Sequence, residues 1–233
     1  MKNRFAKFHN IPELMSIFSM IADIKTADML DLPVPELKTG NVQVIKTKMT
    51  PEQKQMVLEL GERAEAIRDG RVDSTEDNFL KLTHEARLLA VDPRAIDPDL
   101  PDDPGTKLNV CAAKVAEIYH ETANAKLTQL IFCDQGTPKA DGSFNFYPAT
   151  MYALIDQGVK EEEIAFIHEA KTDGQRERLF EQVKSGDIRV LIGSTEKMGT
   201  GMNVRATCCC TNFNVGKIPA LELKTTSEFS SAK

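Results

Sequence analysis

The chain has 233 residues, 41% of them apolar, and a formal net charge of −6. That is enough apolar material for a packed core in one large or two small domains. The acidic balance argues against a whole-surface binder of nucleic acid but permits a local basic patch; with no Trp and 6% aromatics, there is little material for base-stacking platforms.

The basic start (Lys2, Arg4, Lys7) only superficially resembles a signal peptide, because His9, Asn10, Pro12, Glu13 and Asp23 interrupt the apolar residues that follow. No segment approaches ~18 uninterrupted apolar residues, so no membrane span is expected. Ile11, Leu14, Met15, Phe18, Ile21 and Ala22 fall on one helical face. The opposite face is not rich in Lys or Arg, so the pattern predicts a core-facing helix and not a membrane-surface one. Residues 31–40, with Pro33 and Pro35, read as a connector, and 42–48 as a strand.

Thr50, Pro51 and Gln53 form a strong helix start: the threonine caps, the proline takes the first helical position, and the glutamine completes a capping box. That helix is predicted to reach about Arg68, and a second to span 75–90. Residues 92–105 carry four prolines among five aspartates and read as an extended, solvated linker. A domain boundary falls there. The expected domains are a mainly helical extension over 1–104, an α/β lobe over 105–204, and a divergent tail over 205–233.

The second half alternates helices and strands. Helices are predicted over 107–123, 150–157 and 172–185, the last with Thr172 as cap, Gln175 closing the box and Gly186 past the end. Strands are predicted over 127–133, 164–168 and 188–193. This rhythm implies βαβ units around a parallel sheet. Asp141-Gly142, in an insert between Pro138 and Pro148, is a hairpin-turn signal. The run Cys208 to Cys210 favours one further strand or none, and 227–233 reads as a frayed end.

The most informative stretch is IRVLIGSTEKMGTGMN, residues 188–203, where a short apolar strand runs into a glycine-punctuated polar loop. Loops at the carboxyl ends of strands in open α/β sheets are where ligands bind. Backbone amides, the hydroxyls of Ser194, Thr195 and Thr200, and the cation of Lys197 suit a phosphate, while Gly199 and Gly201 permit close approach.

The order of these segments resembles the second RecA-like lobe of superfamily-two helicases of the Swi/Snf type. GTKLNVCAAKVAEIYHE precedes a strand ending in IFCDQGTP, which is similar to motif IV; QRERLFEQVKSGDIRVLIGST then leads into EKMGTGMN, similar to motif V. KTKMTPEQKQMVLEL resembles the entry segment into that lobe. The nearest variety is the large helicases, often fused to a DNA methyltransferase, of phages and mobile elements. The resemblance covers residues 5–204 and implies an α/β, parallel-sheet, RecA-like (P-loop NTPase-like) fold.

It also implies roles. Ser194, Thr195, Lys197, Gly199 and Thr200 would face nucleic-acid phosphates or the lobe interface, and Gln135, Gly136 and Thr137 would share that rim. Gly201 and Asn203 would lie toward a nucleotide cleft. ATP and Mg²⁺ would bind only with a complementary first lobe, in cis or in trans. DNA is the implied partner, with RNA open. The sequence departs from the family in having no Gly-x-x-x-x-Gly-Lys-Ser/Thr loop and, after Val204, no arginine-finger helix. The expectation is a truncated or rearranged lobe that does not hydrolyse ATP alone.

Other chemistry is not signalled. Five cysteines lack CxxC spacing, which speaks against a disulfide framework or zinc site and fits a reducing cytoplasm. His9, His84, His120 and His168 show no metal-ligand spacing, and His168, at a strand end, reads as structural or solvent-exposed. Lys171, Arg176, Arg178, Lys184 and Arg189 put positive charge near the rim but alternate with acids, as a solvated face does. A non-enzymatic protein-interaction module on the same scaffold is the alternative. A small-molecule α/β enzyme is a weaker third reading, having neither nucleophile–base pair nor cofactor fingerprint.

Overall fold

Local chemistry starts most helices of the computed structural model, which describes residues 10–23, 25, 29, 43–136 and 144–198 and the strands 207–212 and 221–225. The chain divides into two compact units, Met1–Pro35 and Glu36–Lys233. In the first, α1 (Ile11–Ser19) forms with Pro12 and Glu13 in its opening turn. None of its residues is buried. Nine residues with such a stripe cannot enclose a core alone.

The second unit begins with β1 (Gln43–Ile45) and α2 (Pro51–Arg68). The Thr50–Gln53 capping box is present on α2. Gln53 does more than cap: its Nε2 donates to the carbonyl of Leu89 at 2.9 Å, stitching α2 to the end of α3 (Phe79–Leu89). Arg63 joins the same two helices through Asp77 (2.8 and 3.0 Å) and Glu85. Helix α3 starts later than Thr75. Asp73 Oδ1 takes both the N–H and the hydroxyl of Thr75, making a turn there, and Asn78 caps instead through Leu80 and Lys81.

The start of residues 92–105 is not the extended, solvated linker that their composition predicts, although 96–99 are exposed. Asp92 is fully buried and accepts three hydrogen bonds from Arg94. Arg94 also pairs with Asp102 at 2.9 Å and lies over the Phe144 ring. Both sides of this segment contribute to one core, Val91 before it and Leu108 after it.

The remaining elements are α4 (Lys107–Glu121), β2 (Thr128–Phe132), α5 (Phe146–Ile155), β3 (Ile164–Phe166), α6 (Asp173–Ser185), β4 (Val190–Gly193), α7 (Thr195–Met198), β5 (Thr207–Asn212) and β6 (Leu221–Thr225). Helix α5 begins ahead of the expected Thr150. Asn145 caps it, and Pro148 sits in its first turn, where a missing N–H breaks no helical bond. The Asp141-Gly142 hairpin signal and the 227–233 end lie outside the described residues.

The sheet order is β1-β6-β5-β2-β4-β3. Strands β3, β4, β2 and β5 run parallel as neighbours, with Ile131 opposite Ile192 and Ala165 opposite Leu191. Strands β6 and then β1 continue the sheet antiparallel. The three predicted parallel strands are thus present, and the tail supplies two strands where one or none was expected.

Side chains alternate between the two faces. Ile131, Val190 and Ile192 pack with α4 and α5 residues such as Leu108, Val115 and Leu154; Leu130 and Leu191 pack with Val183, Ile188 and Met198 from the α6 and α7 side. Each fully buried aliphatic side chain contributes about 1.5–3 kcal/mol. Covered on both faces, the strands hold their carboxyl ends as one fixed edge.

Candidate nucleic-acid interface at the strand ends

The rim is built where β2 and β4 end side by side. The Cys133 N–H donates to the Gly193 carbonyl at 2.8 Å, extending the ladder by one bond. Beyond it, Asp134 receives the Thr195 N–H at 2.6 Å and the Thr195 hydroxyl at 2.9 Å. This carboxylate clamp joins loops 61 residues apart in sequence. It also commits both Thr195 donors, so Thr195 supports the rim and does not offer those donors outward.

Two glycines are required here by contact. A Cβ on Gly193 would lie 2.3 Å from Ile167 Cγ2 and 2.7 Å from Met198 Sδ. Gly136 has φ +59, and a Cβ there would meet the Phe146 ring at 2.6 Å. The Ser194 carbonyl accepts from the N–H groups of Lys197 (3.1 Å) and Met198 (2.9 Å), turning the chain into α7. Lys197 is exposed and makes no ion pair among the described residues.

Behind the rim, Tyr147 donates its hydroxyl to the Cys133 carbonyl at 2.7 Å. Burial raises the Tyr147 pKa, so the phenol stays protonated. The Cys133 thiol is pushed up to about 12 by burial and donates to the Gln135 carbonyl. It is no nucleophile at neutral pH. His168 follows β3 in a short 3₁₀ turn, Ile167–Glu169, with its ring edge-on to Tyr147 at 5.0 Å. Burial, and after it the charge of Lys197, lowers the His168 pKa.

Of the residues predicted for this site, Gln135, Gly136, Ser194, Thr195 and Lys197 come together on these adjacent strand ends. Thr137, Gly199, Thr200, Gly201 and Asn203 lie outside the described residues. Arg189 does not contribute to the rim. It precedes β4, is 4% exposed, and donates to the Tyr119 carbonyl, the Thr122 hydroxyl and the Leu127 carbonyl. Its guanidinium also stacks on the Tyr119 ring at 3.9 Å, so it holds the opposite end of the sheet. Arg176 pairs with Asp173.

Sequence reasoning missed Asp134, Tyr147 and Lys107. Asp134 follows an apolar strand directly, which is a legible position for a rim acid. Lys107, in the first turn of α4, is 4% exposed and its Nζ has no hydrogen-bond partner among the described residues. Among those residues no group of His, Cys, Asp and Glu is placed to hold a metal ion, and no helix is long and apolar enough to cross a membrane.

No family model matches the sequence, and no curated protein matches it. Among solved structures, the fold is similar to the Sulfolobus solfataricus SWI2/SNF2 ATPase C-terminal domain. The likeness has a TM-score of 0.51 over 72% of this chain and 69% of that chain, at 14% identity. At that identity the likeness is one of fold: the chain has an α/β, RecA-like fold similar to that domain's.

Proposed function

We propose that the chain is the C-terminal lobe of a nucleic-acid-dependent ATPase, contributing backbone-phosphate contacts and one wall of an ATP cleft. The observation that supports this most is the rim itself. Two parallel strands end together under a carboxylate clamp, and the adjoining turn carries an exposed Lys197 with no ion pair among the described residues. Lys197, with Gly199 and Thr200, faces the phosphates, and Ser194, 8% exposed, shapes the turn that carries Lys197. Gln135, Gly136 and Thr137 border them, and Thr195 fixes the geometry through Asp134. Gly201 and Asn203 lie toward the nucleotide. DNA is the partner favoured, RNA the related one.

Phosphoryl transfer needs a phosphate cradle, a Mg²⁺ carboxylate and a charge-stabilising cation. In this reading those come from a first lobe, in cis or in trans, together with ATP and Mg²⁺. The chain alone does not turn over ATP. A phage or mobile-element context and a cytoplasmic location belong to the same proposal.

Fluorescence anisotropy with labelled DNA tests it. Two or three phosphate contacts give a log–log salt slope of about −2 to −3 and weak binding at physiological salt. Lys197→Ala should weaken binding uniformly across sequences and flatten the slope by about one. Salt-independent binding, or none at low salt, refutes the interface. A second reading, a protein-docking module, is favoured by exposed apolar side chains on α2 and α3, Leu58 at 64% and Leu80 at 82% exposure. DNA binding lost with Lys197 separates the two.

A further inference from the structure

His168 stands at the rim without a role in the reading above. Three observations bear on it. First, its turn is packed on the rim: Ile167 fills the space that a side chain at Gly193 would take, beside Met198 of α7. Second, its ring is held edge-on by Tyr147, whose hydroxyl is committed to the Cys133 carbonyl, so the imidazole has a fixed direction. Third, its Nδ1 is buried with no hydrogen-bond partner among the described residues. Buried ring nitrogens normally have one.

The charged groups on the elements around it are few. Helix α7 brings Glu196 and Lys197, its own turn brings Glu169, and the clamp brings Asp134, whose carboxylate is occupied by Thr195. Helix α5 carries no charge. Burial first, and then the charge of Lys197, lowers the pKa of the ring. Two groups able to carry positive charge therefore sit on adjoining elements, the turn 167–169 and α7, which meet at Gly193. In the free chain this keeps the imidazole neutral. An anion between them reverses the balance, because each cation then stabilises it and the ring gains an acceptor.

We propose that His168 is a second ligand for the backbone phosphate held by Lys197, neutral in the free chain and protonated in the complex. This rests on the phosphate-binding reading of the rim. Binding then takes up one proton. The sign follows: the free ring titrates below its ordinary 6.5, and the bound ring titrates higher. Affinity rises as pH falls through the bound value and levels off below the free one. Two added residues of contact are not needed; one imidazole converts a fixed basic spot into a pH-graded one.

The test uses the full chain with a fluorescein-labelled DNA oligonucleotide, single-stranded and duplex, at constant low salt. Anisotropy is followed from about pH 7.5 to about pH 5.5, the range in which histidine titrates. The wild type should tighten roughly tenfold, which corresponds to one pK unit between free and bound states. His168→Gln, which keeps a polar planar group, should tighten by no more than about twofold, the residue of general charge effects. In parallel, the ring-proton shifts of His168 in the wild type are titrated with and without the oligonucleotide, and its pKa should rise on binding. That second measurement does not depend on the variant folding. Equal pH slopes for wild type and His168→Gln, or an unmoved His168 pKa in the complex, overturn this inference while leaving the interface standing. No binding at any pH removes the interface and this inference with it. An RNA oligonucleotide of the same sequence shows whether the graded contact is to phosphate alone, in which case both respond alike.

Discussion

Lys107 should be a burden on stability, and replacing it with Met should stabilise the fold. Its ammonium is almost fully enclosed, with no partner among the described residues. Burial lowers its pKa below 10.5. Met keeps most of the apolar stem and an equal helix propensity, so the change removes chiefly the buried charge. A buried polar group left unpaired costs about 1–3 kcal/mol, and a charged one at least that. A cation in the first turn of a helix adds a further few tenths to 1 kcal/mol against the dipole. Lys107→Met should therefore gain about 1–3 kcal/mol at neutral pH, or roughly 2–12 °C in Tm for a chain of this size. The gain must depend on pH. Below the lowered folded pKa the penalty is complete; between that value and 10.5 it fades, because the folded state has lost the proton that the unfolded state still holds, and above 10.5 it is gone. Urea unfolding followed by circular dichroism at pH about 7 and about 10 measures both effects. A variant less stable than the wild type, or a gain equal at both pH values, refutes the reasoning and means that the ammonium is paired.

Two further outcomes follow from contacts already described. Gly193→Ala forces a methyl into Ile167 and Met198, so it should destabilise by about 1–3 kcal/mol in the same urea assay; unchanged stability would mean that the β4 end can yield. Arg189→Ala removes a guanidinium with three acceptors and an aromatic face, leaving the Tyr119 and Leu127 carbonyls without it. It should cost about 3 kcal/mol or more, and Arg189→Lys should recover only part, since an ammonium lacks the planar fork. Full recovery by Lys would show that charge alone matters there.

What was legible in the sequence was local. The two capping boxes, Thr50 with Gln53 and Thr172 with Gln175, need only a three-residue spacing, and both are present. The parallel strands were legible because short apolar runs between capped helices leave few alternatives. Competing local bonds misled the reading at Thr75, where Asp73 makes a turn in place of a cap. Pro148 bounds an insert in the sequence reading, yet it lies in the first turn of α5, a position that tolerates proline. Composition misled it at 92–105: prolines and aspartates read as solvated chain, but Asp92 is buried by an arginine two residues away. Asp134 meets Thr195 across 61 residues, and no spacing rule reveals such a pair. The role of His168 is hidden for the same reason, since Tyr147 and Lys197 reach it only in the fold.

The outer half of the sheet has a consequence for how the molecule comes into being. Strand β1 precedes the lobe, yet its hydrogen-bonding partner is β6, with Gln43 opposite Leu223, near the other end of the sequence. Strand β2 likewise waits for β5. During synthesis both must emerge long before their neighbours exist, leaving open backbone edges on a nascent polypeptide. Such distant pairing is slow to close. Until those partners are made, the nascent chain carries unpaired strand edges, the feature that makes folding intermediates prone to aggregate.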